Sequence, residues 1–158
     1  MSEAWKNRFC FFLFICILTH ASCTAPGTFK EMSFQDVKTD YTISSMGKSN
    51  KDFIDAIDIW GAKSFNDWQK VKQTSNKERG LFIFRYKEFF SNMGRGTKCG
   101  ILVSVEVKRV TEDSLSLNFS NITHDTINCG WINEPGVKSL NLNLLLTKSN
   151  IQKAIKDF

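Results

Sequence analysis

Apolar residues recur along this chain with two different periods, and the periods predict the fold. Phe53, Ile54, Ile57, Trp60, Gly61 and Phe65 fall at helical spacing and make one broad apolar stripe. Ser49, with Asp52 three residues on, predicts a capping box at the start of that helix. Asn66 and Asp67 break the pattern. Trp68 to Thr74 predicts a strand, its alternation blurred by Lys70 and Lys72. The polar run Ser75 to Gly80 predicts a turn in which Gly80 takes a positive φ at little cost. Leu81 to Tyr86 is apolar on both faces, as in a central strand.

Period two dominates elsewhere. Thr39 to Ser44 predicts a first strand, before Gly47. After Phe89 and Phe90, the stretch from Ser91 to Thr97 reads as a loop. Gly100 to Lys108 carries Ile101, Val103, Val105 and Val107 on one face and Leu102, Ser104, Glu106 and Lys108 on the other. Leu115, Leu117 and Phe119 continue the alternation after a turn, giving a hairpin with one wet face. Glu134-Pro135-Gly136 predicts a hard break. Leu140, Leu144, Ile151, Ile155 and Phe158 then suggest a helix interrupted near Thr147 to Asn150. Strand, helix, about four antiparallel strands and a helix make an α+β fold, an antiparallel sheet with its helices packed on one face.

The first residues follow neither period. Lys6 and Arg8 precede an apolar run from Phe9 to Leu18, followed by small residues up to Cys23. That run is shorter than the roughly 20 residues of a membrane-spanning helix, which favours a cleaved signal peptide at 1–22 over an uncleaved anchor. Ala21-Ser22-Cys23 resembles the end of a bacterial lipobox, with His20 where Leu is usual, and makes Cys23 the expected lipidation site. Parity agrees. Five cysteines are encoded; Cys10 and Cys16 leave with the signal, and acylated Cys23 leaves Cys99 and Cys129 to form a disulfide in an oxidising compartment. Thr24, in place of an Asp, favours the outer membrane. Residues 23–38 then form a tether, and 39–158 a single domain.

Short stretches across the domain carry a family likeness. Tyr41-Thr42-Ile43-Ser44, Gly47-Lys48-Ser49, the helix with Trp60, and Asn76-Lys77-Glu78-Arg79-Gly80 before a strand resemble an uncharacterised bacterial domain family, mostly lipoproteins, with a TBP-like fold. The likeness spans about Tyr41 to Ile122. It implies the same β-α-β-β-β-β-α order, and no known activity or catalytic residues.

Charge and candidate chemistry narrow the function. The net charge of +5 is spread among acids, so no basic stripe offers itself to nucleic acid. His124 and Cys129 suggest a base and nucleophile, but a disulfide would remove the thiolate. Asp52, Asp55 and Asp58 share a helix flank without the loop carbonyls of a calcium site, so no metal is expected. Gly94 to Lys98 lacks the spacing and following helix of a P-loop, and no cofactor is implied. Phe82, Phe84 and Tyr86 remain as candidate partner-binding residues, if they line the sheet face away from the helices. The alternative is that they are covered, with Leu81, Ile83 and Arg85 on the open side. Two functions follow: a non-catalytic envelope lipoprotein binding a protein, glycan or lipid, or a periplasm-facing hydrolase with a site in the loops near Arg95 and His124.

Overall fold

The computed structural model describes residues 31–91, 98–125 and 132–158. Its elements are β1 (Glu31–Met32), a 3-10 turn (Phe34–Asp36), β2 (Asp40–Ser44), α1 (Asn50–Ser64), α2 (Trp68–Val71), β3 (Lys72–Asn76), β4 (Leu81–Ser91), β5 (Lys98–Arg109), β6 (Ser114–His124), β7 (Ile132–Asn133) and α3 (Glu134–Asp157). Five strands form an antiparallel sheet in the order β2-β6-β5-β4-β3, and β1 pairs with β7 beside it. Helices α1 and α3 cover one face of the large sheet. The α+β prediction holds.

Local chemistry explains most boundaries. The Ser49 Oγ accepts the Asp52 N–H at 3.2 Å, and its hydroxyl donates to the Asp52 carboxylate at 2.7 Å. The cap forms as predicted, with the Asp52 carboxylate accepting a hydrogen bond from the Ser49 hydroxyl. Gly80 turns the chain from β3 to β4 at φ +57°. Arg109 then ties this corner together: Nε donates to Asn50 Oδ1 and Nη2 to the Lys48 carbonyl, each at 2.5 Å, and the guanidinium lies over the Phe53 ring. Nothing in the local pattern of β5 singled out that arginine.

Three predicted elements change. Trp68–Val71 is one helical turn and not a strand; the strand begins at Lys72. The turn swings Trp68 into the core, where its ring stacks on Phe65 and Phe82. Glu134-Pro135-Gly136 does not break the chain. It is the first turn of α3, where the missing proline N–H costs no hydrogen bond, and Asn133 caps it by accepting the Gly136 N–H at 2.9 Å. The same helix runs through Thr147 to Asn150 without interruption, because Thr147 is buried and its hydroxyl meets the Tyr86 phenol.

The expected tether also shortens. Met32 and Phe34 pack on the core, Val37 is buried within it, and Ser33 caps the 3-10 turn with Asp36 in reciprocal hydrogen bonds. The folded domain therefore takes in residues 31–38. The signal peptide at 1–22 and Cys23 lie outside the described residues, as do Cys129 and Arg95.

Candidate functional site: the uncovered sheet face

Strand β4 decides which face can meet a partner. Its two rows are both largely apolar, so the cross-strand register has to be read. Phe82 pairs with Val107, Phe84 with Val105 and Tyr86 with Val103, and every one of these valines lies under the helices. The three aromatics therefore face inward, at 0%, 0% and 6% exposure. The expectation that they line an open face is corrected.

They are instead the middle of an aromatic cluster. Phe84 meets Trp60, Phe65 and Trp68 within 6.2 Å between ring centres, and Tyr86 meets Phe65 at 5.6 Å. The Tyr86 phenol shares a 3.1 Å hydrogen bond with Thr147, and its burial pushes the phenol well above the ordinary tyrosine range. The signal that could have placed this row was the single charge at Arg85, which excludes the opposite row from the core.

The uncovered face is built from that opposite row. Leu81, Ile83 and Arg85 are half-buried, and Lys87 and Phe89 are exposed. Register carries the face across the sheet. Arg85 stands opposite Ser104, which stands opposite Ser120. Ile83, Glu106, Asn118 and Asp40 form the next row, where the Asn118 amide donates to Asp40 at 2.6 Å. Leu81, Lys108, Ser116 and Thr42 form the third. Among the described residues no helix packs over these rows, which present hydroxyls and the Asn118 amide between two cations, Arg85 and Lys108, and two carboxylates, Glu106 and Asp40, with an aliphatic edge.

Arg85 is the centre of this surface. Its Nη2 lies 3.5 Å from the Thr123 Oγ1, at the long limit of a hydrogen bond. Its Nε is shielded from solvent and has no hydrogen-bond partner. The adjacent Glu106 makes no ion pair with it among the described residues. A guanidinium held among aliphatic and hydroxyl side chains, with donors left over, suits a carboxylate or phosphate oxygen.

The other candidates are committed elsewhere. Asp52 serves the Ser49 cap, Asp55 pairs with Lys51 and Lys77, and Asp58 holds the Trp68 indole N–H and Lys72. Among the described residues no group of three His, Cys, Asp or Glu side chains gathers as metal ligands would. His124 packs on Phe34 with ring centres 4.8 Å apart, its Nδ1 lacks a partner, and burial lowers its pKa. Nothing among the described residues links it to a nucleophile. Cys99 is fully buried, while its expected pairing with Cys129 falls outside the described residues. Among the described residues no helix is long and apolar enough to cross a membrane.

No protein-family model matches the chain, and no curated protein matches it. Solved structures do. A TBP-like protein from Parabacteroides distasonis is similar with a TM-score of 0.57 and 14% identity, over 74% of this chain and 90% of that one. A DUF4468 family protein from Bacteroides ovatus gives a TM-score of 0.57 at 9% identity, over 82% of this chain and 91% of that one. At such identities the likeness is one of fold, and the fold is TBP-like.

Proposed function

We propose that this protein is a non-catalytic envelope lipoprotein, anchored by an acylated Cys23, that binds an anionic partner through the uncovered sheet face around Arg85. The observation that carries the binding half is the half-buried guanidinium at the centre of an uncovered face, with Nε unpaired. Beyond the shielded Nε, the terminal nitrogens make only the 3.5 Å Nη2 contact with Thr123 among the described residues, which leaves guanidinium donors for a partner's oxygen. The serine and threonine hydroxyls of the neighbouring rows supply further hydrogen bonds, and Lys108 adds a second positive charge against the Glu106 and Asp40 carboxylates of the same face. The anchor half rests on the basic start, the short apolar run and the small residues before Cys23. Thr24 favours the outer membrane, with the domain facing the periplasm or exterior.

Two measurements test the two halves. Chemical crosslinking of envelopes that carry the full chain, followed by capture, is expected to recover a partner whose yield falls several-fold in Arg85→Met. Equal recovery by that variant would remove the face from the account. Metabolic labelling with a palmitate analogue is expected to mark the wild type and not Cys23→Ala. Label that persists in the variant would disprove the anchor.

A further inference from the structure

Helix α3 is amphipathic in an unusual way. Its inner stripe, Val137, Leu140, Leu144, Thr147, Ile151 and Ile155, is buried on the sheet. The opposite side carries a second apolar group. Leu142, Leu145 and Leu146 stand 62%, 43% and 61% exposed, at spacings of three and four that put them on one face. Exposed lysines bracket them: Lys138 one turn before, Lys153 and Lys156 beyond Ser149. Only two acids lie in the helix, Glu134 and Asp157, one at each end, and Glu134 is paired with Lys138 at 2.8 Å. A groove of about 570 Å³ beside this face, between α1 and α3, adds exposed Ile59 and Phe158 with Lys63.

We infer that the outer face of α3 lies on an anionic phospholipid surface, seating its leucines at the boundary between headgroups and acyl chains with the lysines at headgroup level. Leucines flanked by lysines are the composition that partitions into a bilayer interface, where apolar burial and attraction to anionic headgroups act together. A protein groove would satisfy the leucines equally, but it would have to supply acids at both ends of the patch. The anionic headgroup layer does so wherever the helix lies down.

Chain length supplies the second argument, and it rests on the anchor proposed above. Residue Cys23 precedes Glu31 by eight positions, so the acylated end can stand at most about 29 Å from β1. β1 pairs with β7, which runs directly into α3. A lipid at Cys23 would therefore hold the start of α3 within that distance of the bilayer. Docking by α3 leaves the uncovered sheet face turned away from the membrane, because the helices and that face lie on opposite sides of the sheet.

The test uses the acylated full chain in vesicles of phosphatidylethanolamine with phosphatidylglycerol. A photo-crosslinking residue replaces either Leu146 or, on the uncovered sheet face, Thr42. Lipid adducts are expected at position 146 and several-fold fewer at position 42. Adducts at 146 should also drop several-fold in vesicles of phosphatidylcholine alone, and in a variant combining Lys138→Glu, Lys153→Glu and Lys156→Glu. Protein that stays with the vesicles yet gives no excess of lipid adducts at 146 overturns the docking and leaves the anchor standing. Adducts to a second copy of the chain at 146 overturn it in favour of self-association. Protein that does not stay with the vesicles overturns docking and anchor together.

Discussion

Gly61 on α1 is the floor on which the Trp68 indole rests: a Cβ built at position 61 would stand 2.3 Å from the ring. The ring has nowhere to retreat. It is stacked on Phe65 and Phe82, and its N–H is held by Asp58 at 2.5 Å. Alanine normally favours a helix interior over glycine by about 1 kcal/mol. Overpacking of this kind costs about 1–3 kcal/mol, and the clash should win. Gly61→Ala is therefore expected to lower the urea midpoint; a raised midpoint would show that the ring can move aside.

Phe84 sits where the cluster is densest, beneath Trp60 and between Phe82 and Tyr86. Phe84→Ser should cost about 3–5 kcal/mol, the scale of a truncated core phenylalanine. Thermal unfolding measures it. A variant as stable as the wild type would return this row to the surface.

His124 gives the domain a pH signature. Burial lowers its pKa, so the unfolded chain takes up the proton first and stability falls with acid. The contribution is whole above the ordinary histidine value of 6.5 and is lost progressively as the pH drops from there through the lower folded value. The sequence holds two histidines, and the other, His20, belongs to the expected signal peptide. Denaturant unfolding at a series of pH values should show this loss in the wild type and a flatter profile in His124→Gln. Identical profiles would contradict it.

The proposed Cys99–Cys129 bond closes a long loop around β5 and β6, and loop closure makes such a bond worth roughly 3–4 kcal/mol if unstrained. Denatured, unreduced mature protein should show no reactive thiol. Two reactive thiols would refute the pairing.

Much of this fold was readable along the chain, and the unreadable parts share a cause. Ser49 as cap, Gly80 at the turn, and the rows Ile101 to Val107 and Leu115 to Phe119 each depend on neighbours close in sequence. Trp68 does not. Its helical turn depends on the space above Gly61 and on the stacking surface of Phe82. Proline at position 135 reads as a break until Asn133 is seen to cap a helix there. The orientation of β4 was the hardest, since both of its rows are apolar and the choice rests on pairing with β5. Arg85 was the one local clue, and it marks the centre of the candidate site.

The most direct test of the central claim labels that arginine. Phenylglyoxal modification, read by mass spectrometry, would compare the purified folded protein with the same chain in intact envelopes, using exposed Arg79 as the internal reference. Labelling of Arg85 is predicted to fall several-fold in envelopes while Arg79 stays constant, as expected of a guanidinium occupied by a partner. Equal labelling of Arg85 in both settings would contradict the account.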